Sequence, residues 1–251
     1  YIWYTGTMIP LCDKTPFSSI TRNITCWGDS LTDVTGGNSY TTTLAALSGR
    51  EVNNMGIGSE DATAIAARQG GVRLYASEFT IPADTTPVSL NITTSAGTAY
   101  KPMKPLKGLE SCTINGITGT LSWTTAKDEN NNTVYSFSFT RETAGQKVGV
   151  ASGTEIITAG ADKYNDDVTI IWIGTNGGWV VENSDWNTYA TYKKIVDGMI
   201  SKLTTDKYLI VGLTNQIKTN MDTVMAEYYG DHYFNLRSYL SGASAEFYAE
   251  K

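Results

Sequence analysis

Short apolar runs that stop at a glycine are the feature that most constrains the fold of this chain. They occupy residues 24–27, 168–173 and 208–211, and each is followed directly by a glycine. Apolar runs without alternation are typical of strands buried on both faces, as in a parallel sheet covered by helices. Stretches with helical spacing or helix-ending glycines lie between them, at 39–47, 59–71 and 185–203. The pattern therefore predicts an α/β fold with a parallel sheet, and Ser59 is the expected N-cap of the second helix.

The middle of the chain has a different character. From residue 72 to 159, β-rich runs follow one another, separated by turn-forming strings such as DENNN at 128–132, and no helix pattern interrupts them. Short strands at this spacing indicate a small sandwich or barrel. We therefore assign 72–159 to an inserted β-sandwich-like domain, and 24–71 with 160–251 to one discontinuous α/β domain. Residues 1–23 show no periodicity and are interpreted as an N-terminal arm or linker.

Composition and charge exclude several functional classes. The formal net charge of −6 disfavours nucleic acid as a partner, since phosphate binding requires a basic surface. No apolar run approaches the roughly 20 residues of a membrane span. The three cysteines are far apart and lack the spacing of a zinc site, so no metal is expected. The 15 tyrosines and 24 glycines, with many Thr and Asn, suit β structure and polar, carbohydrate-like ligands, although β propensity alone also enriches Thr and Tyr.

Polar groups suited to acyl transfer follow three of the predicted strands. The strand ends carry the hydroxyl of Ser30, the backbone N–H of Gly56 and the carboxamide of Asn176. In parallel sheets, ligands bind beyond the carboxyl ends of the strands. A hydroxyl nucleophile beside hydrogen-bond donors meets the needs of acyl transfer, because the tetrahedral intermediate carries an oxyanion. The competing interpretation makes Ser30 a helix cap and Asn176 a turn residue.

The same strings resemble a known family. GDSLTD at 28–33, NNMGIGSEDA at 53–62 and IIWIGTNG at 170–177 are similar, in order, to the first three blocks of the SGNH/GDSL hydrolases. The resemblance implies a flavodoxin-like three-layer α/β/α fold and a serine esterase that needs no metal or organic cofactor. It implies that Ser30 is the nucleophile and that its N–H, the N–H of Gly56 and the side chain of Asn176 form the oxyanion hole. Asp29 would have a local hydrogen-bonding role.

The resemblance extends to a particular group within that family. IAARQGG at 65–71, followed by a β-rich insertion, resembles SGNH domains of phage tail and tailspike proteins that deacetylate surface polysaccharide. It implies an acetylated polysaccharide or oligosaccharide as substrate and an extracellular location, on a virion tail or a bacterial surface. It also implies a homo-oligomer, which would be a trimer in a tail protein.

The catalytic base is the main departure from the family pattern. The family has an Asp-x-x-His block after its last strand, and no such block is found in this sequence. The single histidine, His232, begins a predicted last strand, HYFNLRSYL, so it would lie at the amino end of the sheet and is a poor candidate for the base. We expect that the chain ends before the motif and has little or no esterase activity alone. In addition, Gly177 stands where the third block usually has Asp.

Several side chains have a functional and a structural interpretation. Arg68 could bind a polysaccharide carboxylate from a helix end, or lie solvated at the surface. Trp179 could stack on a sugar ring or close the lip of a pocket. Trp123 and Tyr135 could form a glycan platform or belong to the core of the insertion. Beside the deacetylase, a non-catalytic glycan-binding or adhesin module and an esterase for small esters or lipids remain as alternatives.

Overall fold

The computed structural model describes residues 2–4, 7–9, 22–34, 39–103, 111–178, 186–214 and 219–249. The first strands, β1 (Ile2–Tyr4) and β2 (Thr7–Ile9), form an antiparallel pair. They lie in the segment expected to be an arm without regular structure. Three residues per strand are too few to show a period, so the sequence pattern missed this pair.

The first α/β segment begins with β3 (Ile24–Gly28), α1 (Ser30–Asp33), α2 (Tyr40–Ser48), β4 (Val52–Gly56) and α3 (Ala62–Gln69). Residue chemistry explains the ends of α3. The carboxylate of Asp61 caps it by accepting the N–H of Ala64 at 2.8 Å, and Gly70 ends it with a φ of 98°. The expected cap, Ser59, instead lies in the preceding loop with a φ of 70°. Asp61 is closer to the first helical turn, which is why it takes the capping role.

The described residues of the insertion form nine strands: β5 (Leu74–Ala76), β6 (Phe79–Ile81), β7 (Val88–Leu90), β8 (Ile92–Thr94), β9 (Cys112–Ile114), β10 (Ile117–Lys127), β11 (Thr133–Arg141), β12 (Val148–Val150) and β13 (Thr154–Thr158). Seven of them form an antiparallel sheet in the order β7-β11-β10-β9-β13-β5-β8, and β12 pairs with β6. The edge strands β7 and β8 are separated in the chain by Asn91 alone, so the sheet curls until it is nearly closed. Of the two forms that the strand pattern left open, this sheet has the barrel-like one and not the sandwich-like one to which we assigned the insertion. Strand spacing cannot separate the two, because it does not report which strands are joined at the edges.

The α/β segment then resumes with α4 (Ala159–Lys163), β14 (Val168–Trp172), α5 (Trp186–Ser201), β15 (Tyr208–Val211), α6 (Thr219–Tyr229), β16 (Tyr233–Phe234) and α7 (Leu236–Ala249). Its strands join β3 and β4 in a five-stranded sheet, β4-β3-β14-β15-β16, in which every neighbouring pair is parallel. The prediction of a mixed α/β chain with a parallel sheet is thereby confirmed.

Two hydrophobic cores meet at α3. Trp27 of β3 packs with Ile65 and Ala66 of α3 in the core of the parallel sheet. Ala64 and Ala67, on the other side of the same helix, belong to the core of the antiparallel sheet. On the opposite face of the parallel sheet, Tyr40 of α2 contacts Trp172, with ring centroids 5.6 Å apart. Within the described part of the chain, no helix combines the length and apolarity that crossing a membrane requires.

Candidate active site

Three adjacent strands bring the predicted polar groups to one edge of the parallel sheet. β3 lies between β4 and β14, with Gly28 paired to Gly56 on one side and to Trp172 on the other. The next strand along the chain, β4, pairs with one side of β3, and the following sheet strand, β14, pairs with the other side. The strand order therefore reverses at β3. Crevices at such points are the usual ligand sites of open α/β sheets. Ser30, the 57–61 loop and the 174–178 loop all follow this edge.

Ser30 is exposed and begins α1, directly after the buried residues Gly28 and Asp29. The Asp29 carboxylate caps α1 by accepting the N–H of Leu31 at 3.0 Å. Burial raises the pKa of Asp29, while hydrogen bonds from Leu31 and Thr175 oppose this effect. Thr175 belongs to the loop after β14, so Asp29 links two of the three strand ends. This placement fits the local hydrogen-bonding role that the resemblance implied.

Gly56 is required by the close approach of α1. A Cβ at this position would lie 2.3 Å from the backbone nitrogen of Asp33. Its N–H, expected to face an oxyanion, instead donates to Oδ1 of Asn54 at 2.9 Å, and Gly56 is buried. The Asn54 amide in turn donates to the carbonyl of Thr32 at 2.8 Å. In this arrangement Gly56 supports the turn beneath Ser30, and its N–H is not presented to a ligand.

The loop that follows Gly56 is the exposed part of this strand end. The Gly58 N–H donates to Oδ2 of Asp33 at 3.0 Å, which ties the loop to α1. Ser59 is exposed and has a φ of 70°, a conformation that costs free energy in any residue with a Cβ. Sequence reasoning missed this strained position, because a serine before two acidic residues has the pattern of a helix cap.

Asn176 lies in a loop that depends on glycine. Gly174, Gly177 and Gly178 have φ values of 114°, 142° and 102°. The exposed Asn176 donates from Nδ2 to the carbonyl of Glu60 at 3.1 Å, and Ala62 donates its N–H to the carbonyl of Gly177 at 3.0 Å. The loop is therefore attached to the start of α3. A carboxamide nitrogen carries two hydrogens, so this bond leaves the second for another acceptor.

Arg68 lies far from where either sequence interpretation placed it. Its side chain is fully buried and forms an ion pair with the equally buried Glu60, with Nε and Oε2 2.7 Å apart. The guanidinium also donates to the carbonyl of Met55 at 3.0 Å and lies over the Trp27 ring. It is neither a surface arginine nor available to a ligand. An arginine at a helix end is usually expected to be exposed. The sequence did not indicate burial here, because the partner, Glu60, lies in a loop eight residues earlier.

His232 lies at the amino end of the sheet, as expected. It belongs to a single 3-10 turn, Gly230–His232, before β16, and its ring stacks on Tyr208 with centroids 4.0 Å apart. Its Nδ1 is 3.0 Å from the carbonyl of Tyr208, the first residue of β15. Ser30 follows the carboxyl end of β3, and a strand of this length spans about 15 Å at 3.3 Å per residue. His232 is therefore too distant to accept the proton of Ser30.

The aromatic residues proposed for sugar binding divide into two groups. Trp179 lies outside the described residues. Trp123 and Tyr135 are partly buried, and their rings lie 6.1 and 6.2 Å from that of Phe137, measured between centroids. They extend the core of the antiparallel sheet and remain partly exposed at its rim. Their packing on Phe137 fits a role in the core, and their partial exposure fits a sugar-binding surface.

Two cavities in the described part of the chain lie away from this edge of the sheet. One of about 590 Å³ is bordered by β6 and β12, including Phe79 and Val150. Another of about 440 Å³ lies at the amino ends of the sheet strands, beside Asn53 and Asp167. Neither borders Ser30. The described residues also contain no group of three or more His, Cys, Asp or Glu side chains placed to hold a metal ion.

An exposed hydroxyl and an anchored carboxamide at the same edge of a parallel sheet are the groups that nucleophilic attack with oxyanion stabilisation requires. Comparison with protein-family models, curated proteins and solved structures returned no match for this chain. Its function must therefore be argued from the residues and their arrangement.

Proposed function

We propose that this protein is a serine esterase of the SGNH type that removes O-acetyl groups from a polysaccharide or oligosaccharide. The observation that carries the proposal is the exposed Ser30 at the end of β3, flanked by loops from the neighbouring strands β4 and β14. Asn176, from the second of these loops, supplies a carboxamide whose orientation is held by Glu60.

The topology of the sheet supports the fold named in this proposal. Numbered along the chain, the parallel strands lie in the order 2-1-3-4-5. That order is found in flavodoxin-like doubly wound sheets, where ligands bind where the strand order reverses. Ser30 follows the first strand, which is the strand at that reversal. The GDS triplet and the two further family-like strings occupy strand ends around the same point.

The proposed chemistry uses only side chains and backbone groups of the chain. The Ser30 oxygen attacks the carbonyl carbon of an acetyl ester, and the carbonyl oxygen becomes an oxyanion. The N–H of Ser30 and the second N–H of Asn176 donate to this oxyanion. The bond between the acetyl carbon and the sugar oxygen breaks, and the sugar leaves as a hydroxyl after the proton lost by Ser30 has reached its oxygen through solvent water. A second water molecule then hydrolyses the acetyl-enzyme, which releases acetate and returns a proton to Ser30. Removing one oxyanion donor in such a site typically costs about 3 kcal/mol of transition-state stabilisation.

Deprotonation of Ser30 limits this reaction. The one histidine of the sequence, His232, lies at the opposite edge of the sheet. A positioned general base contributes roughly 10²- to 10⁴-fold to such reactions. We therefore expect Ser30 in this chain to react slowly near neutral pH.

The first prediction concerns Ser30 itself. A fluorophosphonate probe should label the intact protein at one serine, and Ser30→Ala should abolish the labelling, because this hydroxyl combines exposure with neighbouring oxyanion donors. Slow acetate release from an O-acetylated oligosaccharide should be lost in the same variant. Mass spectrometry of the labelled peptide and an acetate assay measure the two outcomes.

Ser122→Ala is the matched control, because Ser122 is an exposed serine on the antiparallel sheet. It should change neither labelling nor acetate release. Labelling that persists in Ser30→Ala, or an intact protein that neither labels nor releases acetate, would count against the esterase.

A non-catalytic glycan-binding module is the second candidate. It is favoured by the partly exposed rings of Trp123 and Tyr135 and by the position of His232. Aromatic faces offer sugars a large apolar contact surface. Oligosaccharide binding that is weakened by Trp123→Ala, without probe labelling or acetate release, would favour this candidate over the esterase.

A further inference from the structure

The ion pair between Glu60 and Arg68 has no part in the chemistry proposed above, yet the backbone of Glu60 contacts Asn176. Both side chains have no exposed surface, and the pair is formed across the loop that connects β4 to α3. A buried charge is costly unless it is paired and hydrogen-bonded, so the arrangement requires a compensating set of contacts.

Arg68 makes these contacts to several parts of the fold. Its guanidinium donates to the carbonyl of Met55 in β4 and lies 5.4 Å from the ring centroid of Trp27 in β3. Its own carbonyl accepts the hydroxyl of Thr158, the last residue of β13, at 3.1 Å. Arg68 therefore connects the parallel sheet with the strand by which the chain leaves the insertion.

Glu60 transmits this arrangement to Asn176. Its carboxylate is held by Arg68, while its backbone carbonyl accepts the Nδ2 hydrogen of Asn176 at 3.1 Å. A carbonyl oxygen can only accept, so the amide nitrogen of Asn176 must face it. Because the carboxamide group is planar, fixing one of its N–H bonds also sets the direction of the other.

We propose that Glu60 and Arg68 are positioning residues that set the orientation of the Asn176 carboxamide and couple it to the β insertion. The inference rests on the proposed function only for the role of Asn176 as an oxyanion donor. The pair touches no substrate. Its effect passes from the guanidinium to the Glu60 side chain, through the Glu60 backbone, to the amide of Asn176.

The test measures the Asn176 side chain directly. In the ¹⁵N-labelled full chain, the two Nδ2 protons of Asn176 should give separate resonances, one of them slow to exchange with solvent. In the double variant Glu60→Gln with Arg68→Met, the resonances should converge towards those of an exposed asparagine such as Asn130, and the slow exchange should be lost. The double variant is chosen because Arg68→Met alone would leave the Glu60 carboxylate buried without its partner.

Arg141→Met is the matched control. Arg141 is also a buried arginine, and it donates to the carbonyls of Pro82, Thr143 and Gln146 within the insertion. If Arg68 acts only through overall stability, both variants will disturb Asn176 alike. The proposal expects Arg141→Met to leave the Asn176 resonances unchanged.

Arg68→Lys provides a second, milder variant in case the double variant does not fold. Lysine retains the charge beside Glu60 but lacks the planar fork that also reaches Met55. It should shift the Asn176 resonances in the same direction by a smaller amount. Unchanged Asn176 resonances in a folded variant of this pair would overturn the inference. That result is independent of catalysis, whereas failure of the proposed function would appear as absent probe labelling with normal Asn176 resonances.

Discussion

Asp29 shows how strongly position changes the chemistry of one residue in this molecule. It is fully buried beside the exposed Ser30, and burial raises the pKa of its carboxyl above the ordinary value. Hydrogen bonds from Leu31 and Thr175 reduce this shift without cancelling it. The residue caps α1 at the expense of placing a carboxylate in a poorly solvated environment.

The resulting prediction is a pH-dependent gain in stability on Asp29→Asn. A raised folded pKa means that the folded protein binds this proton more tightly than the unfolded chain. Stability from this source is present below the unfolded pKa, about 3.9, and is lost as the pH rises through the folded pKa. Asparagine is neutral throughout and can still accept from Leu31. The free energy of unfolding of the variant should therefore increase relative to that of the natural protein as the pH rises from 4 to 7.5, as measured by urea unfolding.

Asp84→Asn supplies a control of opposite sign. Hydrogen bonds from Thr86 lower the pKa of the exposed Asp84. Its contribution to stability is present above the unfolded pKa and is lost as the pH falls through the folded pKa. The free energy of unfolding of Asp84→Asn should therefore decrease relative to that of the natural protein as the pH rises. A pH-independent difference for Asp29→Asn would show that Asp29 is adequately solvated or paired in the folded protein.

Among the elements, α3 has the largest influence on the site. One of its sides packs on the parallel sheet, the other on the antiparallel sheet, and its first turn meets the loop that carries Asn176. Its start is defined by the Asp61 cap, and its end by Gly70. A change that loosens its first turn should therefore affect both cores.

We predict that Asp61→Ala lowers the free energy of unfolding by about 1 kcal/mol, the typical cost of losing an N-cap. Ser59→Ala is the comparison, because the structure assigns Ser59 no capping bond to α3, and its effect should be smaller. Urea midpoints of the two variants decide between these residues. A larger decrease in the free energy of unfolding for Ser59→Ala would indicate that Ser59, the residue expected from sequence, caps α3.

At the scale of the whole molecule, the question is whether the two cores unfold together. The antiparallel strands of the insertion lie between two segments of the α/β fold in the chain. Helix α3 contributes side chains to both cores, and its buried Arg68 accepts a hydrogen bond from the last insertion strand. Each sheet contains a buried thiol, Cys26 in β3 of the parallel sheet and Cys112 in β9 of the antiparallel sheet. Burial raises the pKa of each to about 12, so neither should react while the protein is folded.

These thiols allow unfolding of each sheet to be followed separately. With Cys12 replaced by serine, variants retaining only Cys26 or only Cys112 should become reactive towards a disulfide reagent over the same range of urea concentration. The shared helix and its ion pair make independent unfolding of one core unfavourable. Reaction of Cys112 at clearly lower urea than Cys26 would show that the antiparallel sheet opens alone.

Local patterns in the sequence predicted the parts of the fold that local physics controls. Apolar runs ending at glycine identified three of the five parallel strands, β3, β14 and β15. The capping role of Asp61 and the short β1–β2 pair were missed. At the start of α3, a shift of two residues decides which side chain caps the helix, and residue preference cannot resolve it. The strands of the β1–β2 pair are too short to show a period.

The sequence by itself determined the class of fold and the edge of the sheet at which Ser30 and Asn176 lie, because burial on both faces and strand direction follow from residue order. Only the tertiary structure decided what each polar group binds. Gly56 donates to Asn54, Asn176 to Glu60, and Arg68 to Glu60 and Met55. The same holds for the nearly closed sheet of the insertion. Such partners depend on which distant segments meet, since a buried polar group must pair with whatever acceptor or donor the packing brings within hydrogen-bond distance.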